Sequence, residues 1–318
     1  MTTTTAPTRP NRRAEVAEPV VVALGLTKRY RSGVLAVDSV NLQVNRGEVY
    51  GFLGPNGAGK TTTMRMLLGL IRPTAGSVRV LGHAPGTPAG LAKVGALVES
   101  PGFYPYLSGR DNLRVLARYA GVRDTRVTEV LEIAGLSDRA GDGFGQYSLG
   151  MKQRLGVAST LLKDPELLVL DEPTNGLDPA GMADMRRLIA RLRDEGRAVL
   201  LSSHLLGEVE QVCDRVGVIS GGRLIAESTV AALRGQAELV VTATPLADTV
   251  RVAVGLVGES AVQQHDGTLR CQIDADRVGE LNRAFVGAGI EVTELRRDER
   301  SLEEVFLTMT TQEVSDVG

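Results

Sequence analysis

The chain has 318 residues, 43% of them hydrophobic and 23% charged, a composition that allows two folded domains and excludes disorder over most of its length. Its formal net charge of −2 excludes charge-driven nonspecific binding of nucleic acid, although it leaves a local basic patch open. The two cysteines, Cys213 and Cys271, fit neither a disulfide framework nor a metal-ligand spacing, so the sequence predicts free thiols in a reducing compartment. Since no window approaches about 18 consecutive apolar residues, it predicts no membrane span.

The beginning of the chain, residues 1–18, is predicted to be a disordered tail. It is rich in Thr, Pro, Arg and Glu and contains no apolar segment of the kind found in signal peptides. Short β-rich runs separated by polar turns follow it and predict a small antiparallel region. These runs are Val20–Leu24, Val34–Val37 and Val40–Val44.

A phosphate-binding loop comes next. Residues 54–61 read Gly-Pro-Asn-Gly-Ala-Gly-Lys-Thr and lie between a strand candidate, Glu48–Leu53, and a helix candidate over residues 59–70. Glycines let successive N–H groups point at phosphate oxygens, and the helix N-terminus adds partial positive charge. Lys60 is predicted to contact the β- and γ-phosphates, and the Thr61 hydroxyl to ligate Mg²⁺. The alternative, a plain glycine-rich turn, does not explain the strand-loop-helix context.

The predicted nucleotide contacts of this loop are Gly54, Pro55, Asn56, Gly57, Ala58, Gly59, Lys60, Thr61 and Thr62. After the loop, strands are predicted at Ser77–Leu81, Val94–Val98, Leu167–Leu170, Ala198–Leu201 and Val216–Ile219. From Ser108 to Leu162 apolar residues recur at helical spacing, which predicts a helical insert over about residues 100–165. Further helices are predicted at Pro179–Glu195 and Leu205–Cys213.

Two carboxylates, Asp171 and Glu172, follow the apolar strand Leu167–Leu170. In open α/β sheets, ligands bind at the carboxyl ends of parallel strands. Asp171 is therefore predicted to hold Mg²⁺, directly or through water, and Glu172 to polarise the water that attacks the γ-phosphate. An Asp-Glu-Pro turn without chemistry is the alternative, and the upstream phosphate loop argues against it.

A second alternation of elements begins after about Gly235. Its predicted elements are the strand Glu238–Ala243, the helix Leu246–Val257, a hairpin turn at residues 266–267 whose second strand is Thr268–Ile273, the helix Val278–Val286 and the strand Ile290–Leu295. The order strand-helix-strand-strand-helix-strand matches an α+β, ferredoxin-like split βαβ unit. Regulation, dimerisation and ligand sensing stay open as roles for it, because its sequence contains no chemical site.

From Val20 to about Arg234 the motifs resemble, in order, those of the ATP-binding subunits of ABC transporters. The resemblance implies an α/β P-loop NTPase over residues 19–234, with a RecA-like core, an antiparallel β subdomain and the helical insert, and leaves residues 235–318 as an accessory domain. It also implies ATP and Mg²⁺ as cofactors and ATP hydrolysis coupled to transport.

The family's signature segment, Leu-Ser-Gly-Gly-Gln, corresponds here to residues 147–151, Tyr-Ser-Leu-Gly-Met. Ser148 and Gly150 match, whereas the first glycine and the glutamine do not. Ser148 is predicted to be the N-cap of the following helix, so that its hydroxyl, the Gly150 amide and the helix dipole can face a phosphate. A capped helix without a ligand is the alternative.

Three further residues resemble family positions. Asp178 ends a segment, Asn-Gly-Leu-Asp, that looks like the loop crossing the dimer interface in that family. His204 follows a strand and looks like the switch histidine that contacts the γ-phosphate, and Tyr30 looks like the aromatic residue that stacks on adenine. The alternatives are a structural histidine and a core tyrosine.

Glu99 departs from the family, since most members have glutamine at this point. It is predicted to bind or orient Mg²⁺ and water beside the nucleotide; pairing with a basic residue of a membrane partner and a solvated strand end are the alternatives. Together with residues 147–154 and the closing segment Ser301–Phe306, Glu99 makes the chain resemble the bacitracin and lantibiotic-immunity branch of drug-export ATPases.

The sequence thus predicts a transport ATPase in which Lys60, Glu172 and His204 are catalytic. It works as a homodimer or with a related ATPase, each ATP lying between the phosphate loop of one copy and the signature segment of the other. It drives a separate transmembrane permease from the cytoplasmic, inner face of the cell membrane, exporting a drug, peptide antibiotic or lipid-like substrate, with no nucleic-acid partner.

A soluble ABC ATPase acting on ribosomes or DNA is the alternative; one phosphate loop and no heptad array argue against it. A nucleotide switch with little turnover is another, which Glu172 and His204 disfavour.

Overall fold

The computed structural model describes residues 19–99, 102–234, 238–265 and 267–298. The predicted tail, residues 1–18, and the closing segment, residues 301–306, lie outside the described residues. The contacts divide the chain into two compact units, one ending at Glu227 and the other beginning at Ser228, whereas the sequence placed the boundary after Arg234. Among the described helices, none combines the length and the apolarity needed to cross a membrane.

The first unit is a mixed α/β structure. Its strands are β1 (Pro19–Arg29), β2 (Leu35–Asn45), β3 (Val49–Leu53), β4 (Ala75–Val80), β5 (Val94–Leu97), β6 (Leu167–Leu170), β7 (Ala198–Ser203), β8 (Arg215–Ser220) and β9 (Arg223–Thr229), the last of which crosses the division between the units. Its helices are α1 (Lys60–Leu67), α2 (Pro88–Leu91), α3 (Gly109–Tyr119), α4 (Asp124–Ile133), α5 (Leu149–Thr160), α6 (Pro179–Asp194) and α7 (Leu206–Val212).

A six-stranded sheet in the order β5-β6-β7-β3-β8-β9 forms the centre of this unit. The pairs β5-β6, β6-β7, β7-β3 and β3-β8 are parallel. Strands β3, β6 and β7 are buried along their whole length, which explains their unbroken apolar runs. Because these three strands are neighbours and parallel, the segments that follow them meet at one edge of the sheet.

The predicted antiparallel region is a second sheet with the order β2-β1-β4. The sequence predicted two short strands, Val34–Val37 and Val40–Val44, where the structure has the single strand β2. The strand continues through the two polar residues between them, Asp38 and Ser39. Ser39 adopts a left-handed conformation, with φ of 52°, and its N–H donates to the Thr27 hydroxyl at 3.0 Å. A locally irregular strand was therefore interpreted as a turn.

The helical insert is confirmed as the helices α3, α4 and α5. Most of the predicted apolar positions are buried, including Leu113, Val130, Leu131 and Leu155, whereas Leu116 is exposed. Among the strands and α-helices of the described residues, three were missed, namely strand β9, helix α2 and helix α8 (Val230–Arg234). Strand β9 escaped prediction because its residues are only partly buried or exposed, so the sequence has no clear apolar pattern there.

The second unit contains the strands β10 (Glu238–Thr244), β11 (Val262–His265), β12 (Thr268–Gln272) and β13 (Glu291–Asp298) and the helices α9 (Leu246–Val257) and α10 (Val278–Gly287). The strands form one sheet in the order β11-β12-β10-β13, and β10 is antiparallel to both of its neighbours. This is the predicted ferredoxin-like order. Its core includes Leu239, Val241, Leu269 and Phe285.

Both cysteines are free and buried, Cys213 in the first unit and Cys271 in the second. Burial raises the pKa of the Cys271 thiol to about 11, and burial also raises the pKa of Cys213 well above its ordinary value. Both side chains are therefore protonated near neutral pH and act as small apolar groups in the core.

Candidate functional site

The phosphate loop lies between the buried strand β3 and the helix α1, which begins at Lys60. Gly57 and Gly59 have positive φ angles of 82° and 109°, so the backbone curls in a way that glycine allows at low cost. A Cβ atom on Gly59 would lie 2.5 Å from the Ala36 carbonyl oxygen. The loop therefore requires glycine at this position for space as well as for backbone conformation.

The Lys60 ammonium is held against the backbone of the phosphate loop, and its side chain is only 5% exposed. Its Nζ donates to the Gly54 carbonyl oxygen at 2.6 Å and to that of Pro55 at 3.3 Å. It also lies 3.2 Å from Glu172 Oε1, which gives a largely buried ion pair. A compact cation is thus preorganised where the loop would receive phosphate oxygens.

Thr61 and Asp171 bring two oxygen ligands together beside the loop. The Thr61 hydroxyl donates to Asp171 Oδ2 at 2.8 Å, which joins the start of α1 to the end of β6. Mg²⁺ prefers hard oxygen ligands and is commonly bound by one or two side chains together with substrate phosphates. This donor pair therefore fits the metal role predicted for both residues.

Glu172 lies between two partners in the same site. Its Oε2 is 2.6 Å from His204 Nδ1, and its Oε1 faces Lys60. Residue 172 also has a φ of 49°, a left-handed backbone conformation that is uncommon for residues other than glycine. A carboxylate oriented by a histidine suits a general base, while contact of His204 with a γ-phosphate stays a prediction.

A cavity of about 310 Å³ lies over these groups. It is lined by Ala36, Pro55, Asn56, Gly57, Gly59, Lys60, Thr61, Thr62, Glu172, Asn175 and His204. The three predicted catalytic residues and most of the predicted loop contacts thus share one cavity. Ala36 and Asn175 were not predicted to line it: Asn175 lies in a recognised motif, whereas no sequence signal marks Ala36, which belongs to the other sheet.

Ser148, Gly150 and Asp178 are not among the residues that line this cavity. Ser148 is the predicted N-cap of α5, and its hydroxyl accepts the Met151 N–H at 3.3 Å. Asp178 caps α6 by accepting the Gly181 N–H at 2.9 Å. The capping of α5 is confirmed, and the phosphate contacts of Ser148 and Gly150, which need a second copy, stay predictions.

Tyr30 and Glu99 also lie outside the lining of the cavity. The Lys28 ammonium sits 5.4 Å from the centre of the Tyr30 ring. The Glu99 carboxylate is 65% exposed and forms an ion pair with Arg65 of helix α1. Stacking of Tyr30 on adenine and metal binding by Glu99 therefore stay predictions, and Arg65 is the partner that the sequence did not reveal.

Ser202, at the end of β7, is a residue of the site that sequence reasoning missed. Its hydroxyl lies 2.5 Å from Asp171 Oδ1 and its side chain is buried. The sequence feature that could have indicated it is the pair of polar residues, Ser202 and Ser203, at the end of an otherwise apolar strand directly before His204.

A family model described as ABC transporter matches residues 37–175 of the chain. The bacitracin transport ATP-binding protein BcrA of Bacillus licheniformis is 42% identical over 91% of this chain and 97% of its own length. The lantibiotic transport ATP-binding protein SrtF of Streptococcus pyogenes is 42% identical over 60% of this chain and 83% of its own length.

Among solved structures, an ATP-binding subunit of an ABC transporter matches with a TM-score of 0.60 and 28% identity, over 68% of this chain and 92% of that one. The cbiO1 protein of Clostridium perfringens, part of the transporter complex cbiONQ, matches with a TM-score of 0.62 and 26% identity, over 67% of this chain and 89% of that one.

Proposed function

The chain belongs to the ATP-binding subunits of ABC transporters and hydrolyses ATP to drive transport, and from that premise we propose that it powers the export of a peptide antibiotic. The observation that carries this proposal is the extent of the similarity to the bacitracin transport protein, 42% identity over 91% of this chain. The similarity to the bacitracin transport protein thus covers more of the chain than the family model, which matches residues 37–175 only. No comparable observation favours action on ribosomes or DNA.

The residues of the cavity, together with Asp171, which bonds to Thr61 of its lining, support a division of roles in hydrolysis. Lys60 neutralises phosphate charge, and Thr61 and Asp171 would hold Mg²⁺, which when bound offsets charge on the β- and γ-phosphate oxygens. Glu172 accepts a proton from the attacking water. His204 orients Glu172 through the 2.6 Å contact with its Nδ1.

The helix caps that lie away from the cavity support a paired arrangement. Ser148 presents the N-terminus of a 12-residue helix, whose partial positive charge suits a phosphate supplied by another copy. We infer that two copies, or this chain and a related ATPase, enclose ATP between the phosphate loop of one and the Ser148–Gly150 segment of the other. The γ-phosphate then holds the pair closed, and hydrolysis releases it.

We propose that the helical insert contacts the permease and that this subunit therefore works at the inner face of the cell membrane. Tyr106 and Tyr119 of the insert are 78% and 88% exposed, and Tyr104 is also exposed, its ring centre 5.7 Å from that of Tyr106. Exposed aromatic side chains are enriched at protein interfaces, because they bury large areas at low entropic cost.

The export proposal is tested in the native host, by replacing the chain with its Glu172→Gln variant at the same expression level. Minimal inhibitory concentrations of bacitracin and of lantibiotics are expected to fall several-fold, because the exporter loses its energy source. The concentration for an antibiotic that acts on the ribosome is expected to stay unchanged. Equal resistance to both peptide classes in the parent and the variant would contradict the proposal.

Glu99 offers a separate test of coupling. Glu99→Gln removes the charge that pairs with Arg65. Because Glu99 lies outside the lining of the cavity, the isolated chain should bind ATP almost as the parent does. The variant should nevertheless give less protection in cells that contain the permease. Glu280→Gln is the matched control, since Glu280 forms an exposed pair with Arg277 at 3.1 Å in helix α10, outside the insert. If the variant protects cells as well as the parent over a range of Mg²⁺ concentrations, Glu99 neither binds Mg²⁺ nor pairs with a basic residue of the permease.

A further inference from the structure

A buried serine connects the two carboxylates of the site. The Ser202 hydroxyl donates to Asp171 Oδ1 at 2.5 Å, and its oxygen accepts the Glu172 N–H at 2.9 Å. Its exposure is 0%, so water does not compete for either bond. One side chain therefore fixes the carboxylate of one acidic residue and the backbone of the next.

The register of the central sheet produces this contact. Strands β6 and β7 are parallel, with Leu170 opposite Leu201, so Asp171, which directly follows β6, lies beside Ser202, the next residue of β7. With φ of 49°, Glu172 has a backbone conformation that persists only where the surroundings hold it in place. The bond from its N–H to Ser202 supplies such a restraint.

We propose that Ser202 is a positioning residue for ATP hydrolysis. It holds the Asp171 carboxylate with Oδ2 turned towards Thr61, and it holds the Glu172 backbone in the conformation that carries the general base into the cavity. This inference rests on the proposed metal role of Thr61 and Asp171. Groups that orient metal ligands in this way typically change metal affinity or activity by about 10–100-fold when they are removed.

The test uses two variants of the full chain, one that removes the hydrogen bond of Ser202 to Asp171 and one that weakens it. Ser202→Ala removes the hydrogen bond, and Ser202→Cys keeps a side chain of similar shape but only a weak donor. Ser203→Ala is the matched control, because Ser203 is buried on the same strand and its hydroxyl accepts the Leu205 N–H at 2.9 Å instead of contacting a carboxylate. Four quantities are measured: affinity for ATP without metal, Mn²⁺ affinity by electron paramagnetic resonance with a non-hydrolysable ATP analogue, kcat and the melting temperature.

Ser202→Ala should bind metal-free ATP about as tightly as the parent, with Mn²⁺ affinity reduced about tenfold and kcat reduced about 10–100-fold. Ser202→Cys should resemble Ser202→Ala, while Ser203→Ala resembles the parent. If Ser202→Cys instead matches the parent and Ser202→Ala changes only the melting temperature, Ser202 fills space and the proposal is overturned. A parent that shows no metal-dependent nucleotide binding would overturn the metal site itself and, with it, this role of Ser202.

Discussion

Lys60→Ala should reduce ATP hydrolysis to below about one hundredth of the parental rate, because it removes a preorganised charge from the place where phosphate charge develops. The Lys60 ammonium is anchored by the Gly54 carbonyl oxygen and lies 3.2 Å from Glu172, so it is fixed before ATP arrives. ATP affinity should fall strongly as well, since the same charge offsets the phosphates of the bound nucleotide. Steady-state phosphate release and binding of a fluorescent ATP analogue measure the two effects.

Two further variants separate charge from packing. Lys60→Met keeps an unbranched side chain without the charge and should fail as Lys60→Ala does, whereas a packing role would let it recover. Lys93→Ala removes an exposed lysine that pairs with Glu166 at 2.5 Å outside the cavity, and it should hydrolyse ATP as the parent does. Parental turnover by both Lys60 variants, with circular dichroism unchanged, would show that this loop does not bind phosphate.

The parts of the site that the sequence predicted best are those whose geometry is local. The phosphate loop carries its glycines, lysine and threonine within residues 54–61, and the structure places Lys60 and Thr61 at the start of α1. The same holds for Ser148, where one hydroxyl caps the helix that follows directly. A contact within one turn of a helix can be inferred from spacing alone.

Contacts between distant segments could not be predicted in the same way. Ser202 reaches Asp171 because two strands far apart in the chain pair in one register, and a different register would have placed another side chain there. Glu99 pairs with Arg65, a residue that no motif connected with it. The division after Glu227 also depends on contacts, because no break in composition marks it.

Glu172→Gln should separate nucleotide binding from hydrolysis. The amide keeps the shape of the carboxylate but does not take up a proton, and loss of a general base typically lowers kcat by about 10²–10⁴-fold. ATP binding should persist and become tighter, since the variant removes a negative charge that lies 3.2 Å from the Lys60 ammonium and so frees Lys60 for phosphate oxygens. Titration with a fluorescent ATP analogue measures this gain.

Because bound ATP then stays intact, the pair of subunits proposed above should stay closed. Size-exclusion chromatography with light scattering should find Glu172→Gln as a dimer in ATP and Mg²⁺ and as a monomer in ADP. Glu166→Gln is the matched control: Glu166 pairs with Arg46 at 2.7 Å, lies outside the cavity lining, and should leave both turnover and assembly as in the parent. Normal hydrolysis by Glu172→Gln would assign the general base to another residue, whereas lost hydrolysis without an ATP-dependent dimer would contradict the shared site between two copies.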